Sequence, residues 1–328
     1  MKKIIKIIAA FLVIMLIGVL VFLKTAAGDK NIYISTGFNK NVMIKVDQTE
    51  TTLTEVMILL SDMVYEYEQT FGESIWEETM DGMSFGQFIT DQVRGKITRI
   101  KCMNQVALGR GIVLSNLEEQ AIGKAANEYM DGVDKASLKK YDFTVEDVKE
   151  LYRSILLADK LFDDLTYSVD TEISEDEARV ITIQYIKTDS YEKAVSMKTR
   201  LDGGESFTSL VRESNPYEYE YELRRGETEE VFEETAYNLV TGQVSDIVQA
   251  GGAYYIIMCV NEYDKIKTAA NKQEMIEKNK LEKFNEIFEP YEAALYAEYN
   301  EELWSTISVE DYIRSSVGFQ EAYDKYMK

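Results

Sequence analysis

Hydrophobic residues recur at a helical spacing along much of the chain. Residues 84–108 give the clearest pattern, because apolar side chains return every three or four positions and fall close to one face. This segment is predicted to be the longest helix, and Gly109 and Gly111 are predicted to end it. Further helix starts are predicted where a Ser or Thr precedes an acidic residue by three positions, at Thr52–Glu55, Ser115–Glu118, Thr144–Asp147 and Ser174–Glu177.

The pattern changes between Ala178 and Val260, where β-branched and apolar segments predict strands. The order strand, three helices, two strands describes a small α+β module. A helical pattern resumes after Lys265, and Pro290 is predicted to kink or restart that helix. The predicted strands of the module are 180–186, 244–248 and 253–260, and its predicted helices are 190–201, 207–213 and 229–239.

The order helical, mixed, helical predicts an α+β fold with two domains. We expect residues 28–173 and 265–328 to form one mostly helical domain from both ends of the chain, with residues 174–264 inserted as the second. Residues 32–46, near the start of the first part, predict two short strands around a turn. A length of 328 residues and an apolar content of 45% suit about two domains that each bury a core.

Residues 1–27 are set apart as a short cytoplasmic stub and a predicted membrane anchor. Residues 7–23 contain no charged side chain and follow three lysines, and a helix of that length spans roughly 26 Å. The flanking lysines predict an N-terminal transmembrane helix with its N-terminus inside, and residues 28–328 on the extracytoplasmic side of the cell membrane. A cleaved signal peptide, cut near residues 25–27, is the alternative.

The composition excludes several kinds of chemistry. The chain has no histidine and two cysteines, so Ser–His and Cys–His catalysis are excluded and a zinc site is discounted. Cys102 and Cys259 lie in apolar segments and are predicted to be buried free thiols. No metal and no other cofactor is expected.

The charge is strongly acidic outside the predicted anchor. Four of the 36 basic residues and none of the 58 acidic residues precede Gly28, which leaves residues 28–328 with a net charge of −26. Such a surface repels nucleic acid and anionic lipid headgroups, and it favours cationic or neutral partners. We therefore expect no nucleic-acid partner, and membrane association only through residues 7–23.

Three segments of the central module carry a family resemblance. Residues 201–210 (LDGGESFTSL), 225–248 (RGETEEVFEETAYNLVTGQVSDIV) and 253–257 (AYYII) resemble, in this order and spacing, the parvulin family of peptidyl-prolyl isomerases. Residues 107–122 (ALGRGIVLSNLEEQAI) and 299–307 (YNEELWSTI) resemble segments of PrsA- and SurA-type extracytoplasmic foldases. The resemblance implies a SurA-N-like helical chaperone domain with an inserted parvulin-like module, which is the layout predicted above.

The resemblance also implies a site, which this chain carries in an altered form. Four of its five positions are replaced, and only the pocket phenylalanine is kept. The family's two histidines are matched by Gln184 and Tyr255, and these two side chains are expected to hydrogen-bond each other. We therefore expect isomerase activity to be weak or absent. The five matching positions are Gln184, Tyr219, Thr228, Phe232 and Tyr255.

A chaperone is the function that these features favour. The chain is predicted to be an anchored foldase that binds unfolded or newly secreted polypeptides, basic ones included, with the parvulin-like module kept for binding or structure. An active isomerase and a non-catalytic scaffold of a surface complex remain as alternatives, and a homodimer is left open. The alternation of Tyr and Glu over residues 217–222 is either the contact edge of such a scaffold or a solvated edge strand with inward tyrosines.

Overall fold

Helices and antiparallel sheets build the molecule in the computed structural model, which describes residues 37–327 apart from residues 48, 81, 171 and 215–219. This mixture of helix and sheet confirms the α+β class. The predicted anchor at residues 7–23 lies outside the described residues. Within the described part of the chain, no helix is both long enough and apolar enough to cross a bilayer.

The helices and strands have the following bounds in chain order. The helices are α1 (Leu53–Phe71), α2 (Phe85–Gly109), α3 (Asn116–Gly132), α4 (Lys135–Tyr141), α5 (Val145–Thr166), α6 (Glu175–Ala178), α7 (Tyr191–Asp202), α8 (Phe207–Ser214), α9 (Glu230–Tyr237), α10 (Lys265–Ala294), α11 (Glu301–Trp304) and α12 (Phe319–Met327). A 3₁₀ helix, Glu73–Glu77, follows α1. The strands are β1 (Val42–Val46), β2 (Thr49–Thr52), β3 (Thr79–Met80), β4 (Met83–Ser84), β5 (Ile181–Thr188), β6 (Tyr221–Leu223), β7 (Val248–Ala250), β8 (Ala253–Asn261) and β9 (Ala297–Tyr299).

The four predicted capping patterns all mark helix starts. At α1 the pattern is a full capping box, because the Glu55 amide donates to the Thr52 hydroxyl at 3.2 Å and the Thr52 amide donates to the Glu55 carboxylate at 2.8 Å. The same reciprocal pair forms before α3 and α5. Ser174 caps α6 by accepting from the Glu177 amide. These four starts are confirmed.

The longest helix is not the predicted one, and the restart expected at Pro290 does not occur, whereas the kink expected there stays a prediction. α10 has 30 residues and α2 has 25, so α2 is not the longest helix. Pro290 lies inside α10, which continues to Ala294 without a restart. A proline removes one backbone donor from a helix. Packing stabilises this part of α10, because the buried rings of Phe284 and Phe288 stack with centroids 5.0 Å apart.

The described chain divides into two compact units, each made from several segments. The first unit contains the residues up to Thr98 together with Ala125–Val148 and Ala297–Lys325. The second contains Arg99–Lys124 and Lys149–Tyr296, and with them the predicted parvulin-like module. The predicted domain boundaries at residues 173 and 264 stay a prediction.

The first unit joins the two ends of the described chain. Strand β1 pairs with β2 on one side and with β9 on the other, both antiparallel. Farther along, the Ile313 amide donates to the buried Ser61 hydroxyl at 2.7 Å, and the Gln320 amide donates to the Asp62 carboxylate at 3.0 Å. Segments from both ends of the sequence therefore share one core in this unit.

The second unit contains a four-stranded antiparallel sheet in the order β6–β5–β8–β7. Helix α9 packs on one face through Phe232 and Ala236, whereas α7 and α8 cover the other face through Leu201, Phe207 and Leu210. The long predicted strands are confirmed as β5 and β8. The predicted strand at 244–248 is a single bridge at residue 244 followed by the later strand β7, and β6 is an edge strand.

Candidate functional site

A pocket of about 220 Å³ opens on the sheet of the second unit, on the face that α9 covers. It is bounded by strands β5, β6 and β8, by the segment that leads into α9, and by the turn between β7 and β8. Its walls are mainly aromatic, and one carboxylate and one hydroxyl are among them. The lining residues are Tyr185, Tyr221, Thr228, Glu229, Phe232, Ala250, Gly251 and Tyr255.

Four aromatic rings meet edge to face in this pocket. The Tyr255 ring lies 5.0 Å from the Phe232 ring and 5.9 Å from the Tyr185 ring, measured between centroids. The Tyr185 ring lies 5.8 Å from Phe232 and 6.3 Å from Tyr221. All four pairs have the T-shaped geometry that aromatic quadrupoles favour. The rings therefore hold one another in place without filling the pocket.

Strand alternation brings these rings to one face of the sheet. In β5 and β8, Tyr185 pairs with Ile257, so Tyr255 is its diagonal neighbour two positions away. Diagonal neighbours lie about 7–8 Å apart at their Cα atoms, which is within reach of aromatic side chains. In β6, Tyr221 pairs with Ile183, which has the same parity as Tyr185. We call this side of the sheet the pocket face.

The opposite side of the sheet is closed, and we call it the closed face. Its side chains from β5 and β8 include Gln184, Ile186 and Ile256, which alternate with the pocket-face residues. Ile186 and Ile256 have no exposed surface and pack against Phe207 and Leu210 of α8.

The two-glycine turn between β7 and β8 positions the carboxylate of the pocket. Gly251 and Gly252 form the whole connection between the paired residues Ala250 and Ala253, and both have positive φ, at 55° and 75°. A two-residue hairpin whose central residues both have positive φ favours glycine. The Gly251 amide donates to the Glu229 carboxylate at 2.6 Å, so the carboxylate is fixed at the pocket rim.

Several polar groups of the pocket have no partner in the described part of the chain. The Thr228 hydroxyl oxygen is buried and makes no hydrogen bond. Tyr185 and Tyr255 are half-buried, and their contacts are with rings and with the Lys187 ammonium rather than through their hydroxyls. Unpaired polar groups in a concave, mostly aromatic site are available to a ligand.

A neighbouring tyrosine in the same core shows the opposite behaviour. The Tyr237 hydroxyl donates toward the carbonyl oxygens of Arg179 and Leu223, at 2.8 Å and 3.0 Å. Burial raises the pKa of Tyr237 to about 12. Tyr237 is therefore a structural tyrosine, whereas the hydroxyls of Tyr185 and Tyr255 have no hydrogen-bond partner among the described residues.

The placement of Gln184 requires a correction. Gln184 is 4% exposed, lies on the closed face and accepts a hydrogen bond from the Thr208 hydroxyl at 3.1 Å. It does not hydrogen-bond Tyr255, because the two residues belong to opposite faces of the sheet. The β5 residue that meets Tyr255 is Tyr185, one position later. A one-residue shift of register transfers a side chain to the other face, which is why the expected pair fails.

The other predicted site residues have different outcomes. The structure brings Thr228, Phe232 and Tyr255 together in the pocket. Tyr219 lies outside the described residues, so its place in the site stays a prediction. Sequence reasoning missed Tyr185 and Glu229 as pocket residues. Strand parity puts residues 181, 183 and 185 on one face, but it does not show which face carries the pocket.

The pocket offers a small set of chemical groups. The chain has no imidazole, and the described residues contain no cluster of ligands that could hold a metal ion. Cys259 is buried in the core behind the pocket, and burial raises the pKa of its thiol. Aromatic faces, one carboxylate and the unpaired hydroxyls of Thr228, Tyr185 and Tyr255 line the pocket.

The first unit has a separate pocket of about 260 Å³ beside α1, with Asp62 and Tyr129 among its walls. Burial raises the pKa of Asp62 to about 6. The Asp62 carboxylate already accepts from the Gln320 amide, and so it fastens the start of α12. This cavity lies between packed elements of the first unit, and its carboxylate already has a structural partner. The aromatic pocket is therefore the better candidate site.

Sequence similarity to a PrsA foldase extends over most of the chain. The chain is 23% identical over 310 residues to a foldase protein PrsA from Caldanaerobacter subterraneus subsp. tengcongensis, with 85% of this chain and 93% of that protein covered. This similarity confirms the resemblance read from the motifs. No family model matches the chain.

Solved structures with matching segments include a peptidylprolyl isomerase and SurA-like chaperones. A peptidylprolyl isomerase (PrsA) from Bacillus anthracis is 20% identical, covers 56% of this chain and 94% of its own, and has a TM-score of 0.34. A structure of SurA-like chaperones from Campylobacter jejuni is 13% identical, covers 79% and 99%, and has a TM-score of 0.27.

Proposed function

We propose that the chain is a foldase that binds unfolded client polypeptides, and that its parvulin-like module binds them without efficient isomerisation. The observation that carries the proposal is the meeting of Tyr185 and Tyr255 in the pocket, at the place where two strands bring side chains together. The resemblance implies a histidine pair for such a site, and this chain has no histidine. The relative named above is called a foldase.

The tyrosine pair supports weak or absent catalysis for a physical reason. Rotation about an X-Pro bond meets a barrier of about 18–20 kcal/mol, and lowering it requires polar groups aimed at the twisted amide. The Tyr185 and Tyr255 rings meet edge to face, with no hydrogen bond between their hydroxyls. No paired hydrogen-bond network therefore supports the twisted amide.

The proposed place of action is the extracytoplasmic side of the cell membrane, with residues 7–23 as the anchor. The support is the uncharged run after three lysines and the acidic charge of the remaining chain. A protease added outside intact cells should degrade residues 28–328. A protease confined to the cytoplasm should leave these residues intact. Protection from external protease would contradict this orientation.

Two assays on the full chain test the proposal. The chain should suppress aggregation of an unfolded basic polypeptide at equimolar ratio, and should give a background rate in a proline-isomerisation assay in which a histidine-bearing parvulin is the positive control. No suppression at any ratio would contradict the chaperone function. A rate near that of the control would contradict the silent module.

A histidine substitution pair sharpens the second assay. The double variant Tyr185→His/Tyr255→His places two imidazoles in the pocket, whereas Gln184→His/Tyr255→His places one of them on the closed face. We expect any gain of isomerisation rate only in the first double variant. A gain in the second would show that pocket parity does not matter.

An active isomerase is the second candidate, and one observation favours it. Phe232 keeps the residue implied by the parvulin resemblance, is 5% exposed and forms part of the pocket wall. The proline-isomerisation assay decides between the two candidates. Tyr221 no longer supports the scaffold alternative, because its ring faces the pocket next to Tyr185 and does not form an outward contact edge.

A further inference from the structure

The aromatic pocket has the features of a cation-binding site. Four rings surround it, and the face of an aromatic ring carries partial negative charge that attracts ammonium and guanidinium groups. Groups of several aromatic side chains around one cavity are the arrangement that proteins use to hold organic cations. A cavity of about 220 Å³ has room for the end of one long side chain.

The polar groups of the pocket also match a cation. Glu229 adds a full negative charge at the rim, and the Gly251 amide holds this carboxylate in place at 2.6 Å. The Thr228 hydroxyl oxygen is buried without a partner and accepts hydrogen bonds. An ammonium or guanidinium group carries only donors, so it can satisfy both oxygens. A proline ring has no donor and no charge, so it leaves the Thr228 hydroxyl without a partner and forms no ion pair with Glu229.

No basic side chain of the described residues lines the pocket. The Lys187 ammonium lies 5.7 Å from the centroid of the Tyr255 ring, but Lys187 is not among the lining residues. The arginines that follow β6 have partners elsewhere, because Arg224 pairs with Glu274 and Arg225 pairs with Asp176. The cation that this pocket would bind must therefore come from another molecule.

We propose that the pocket binds one lysine or arginine side chain of an unfolded client polypeptide, in place of the proline ring that the parvulin resemblance implies. This inference rests on the proposed function and names the chemistry that its pocket recognises. The net charge of the whole chain, −22, draws basic segments toward the molecule. The aromatic pocket then supplies the local selection between side chains.

Short unfolded peptides of equal length test the proposal by calorimetric titration of the full chain. The peptides differ only at a central residue, which is arginine, citrulline, lysine, acetyl-lysine or proline. Citrulline and acetyl-lysine keep nearly the same shape without the charge. The arginine and lysine peptides should bind about tenfold or more tightly than their neutral counterparts, and the difference should fall as salt is raised.

Four variants assign the preference to the pocket. Tyr255→Leu removes a ring and Glu229→Gln removes the charge, and each should reduce the charged-to-neutral preference at least about threefold. Tyr255→Phe keeps the ring and should retain most of the preference. Glu192→Gln makes the same charge change on exposed α7, and it should leave the preference unchanged.

Each of three results would overturn the inference. These are equal binding of the charged and neutral peptides, tightest binding by the proline peptide with loss in Tyr255→Leu, and absence of any binding by the arginine peptide at millimolar concentration. The aggregation assay separates this failure from failure of the proposed function. A chain that suppresses aggregation without any charge preference keeps the function and loses only the inference.

Discussion

The two faces of one sheet treat their polar groups in opposite ways. On the closed face, the buried Gln184 side chain has its partner in Thr208, and the nearby Ile186 and Ile256 have no exposed surface. On the pocket face, the Thr228 hydroxyl is buried without a partner. Strands β5 and β8 supply side chains to both faces, at alternating positions.

This difference separates stability from recognition. A buried polar group without a partner costs free energy, so a face that serves only packing pairs its polar groups. The pocket face keeps an unpaired hydroxyl and half-buried tyrosines, and the closed face holds the same strands rigid beneath them. We infer that substitutions on the closed face change stability, whereas those on the pocket face change ligand preference.

The largest expected effect comes from Ile256→Ala on the closed face. Ile256 has no exposed surface, so this change should lower the free energy of unfolding of the sheet by about 2–5 kcal/mol. The matched change Tyr255→Leu, one residue earlier on the same strand, should lower it by about 1 kcal/mol. Hydrogen exchange of the β5 and β8 amides in the full chain reports this sheet. Equal losses of unfolding free energy in the two variants would show that the two faces contribute alike to stability.

The next effect tests the paired glutamine. Thr208→Val removes the donor to the Gln184 side chain and leaves a buried oxygen unsatisfied, which should cost about 1–3 kcal/mol. The double variant Gln184→Leu/Thr208→Val removes both partners and should recover most of that loss. Hydrogen exchange of β5 measures both variants. A double variant as unstable as the single one would show that the hydrogen bond is not the cause.

The sequence was sufficient for the elements that depend on local signals. The capping pairs at Thr52 and Thr144 form as predicted, because each is settled within four residues. The register of β5 could not be predicted from the sequence, because apolar side chains lie on both of its faces and alternation alone does not select the pocket face. That one-residue ambiguity placed Gln184 in the site and left Tyr185 out.

Long-range features of the site were also beyond sequence reasoning. The carboxylate of Glu229 reaches the pocket because the amide of Gly251, which is 22 positions later, holds it. Such a contact follows from the packing of α9 against β7 and β8, which no local pattern specifies.

The two glycines of this turn provide a matched pair of intermediate size. Gly251→Ala and Gly252→Ala each place a Cβ at positive φ, which should cost about 1–2 kcal/mol. Only at Gly251 would the new Cβ meet Glu229, with its carboxylate oxygen at 3.1 Å, whereas the space at Gly252 is open. Gly251→Ala should therefore also weaken the preference for charged peptides. A similar weakening in Gly252→Ala would show that the Glu229 carboxylate does not determine the preference for charged peptides.

The smallest expected effect has the opposite sign and tests the contrast most directly. Thr228→Val makes the same chemical change as Thr208→Val, on the pocket face instead of the closed face. The Thr228 hydroxyl has no partner to lose, so its removal relieves a buried unsatisfied group. The free energy of unfolding should stay unchanged or rise by up to about 1 kcal/mol, while peptide binding weakens. If Thr228→Val destabilises the sheet as much as Thr208→Val, the hydroxyl is a structural group, and the pocket face is packed like the closed face.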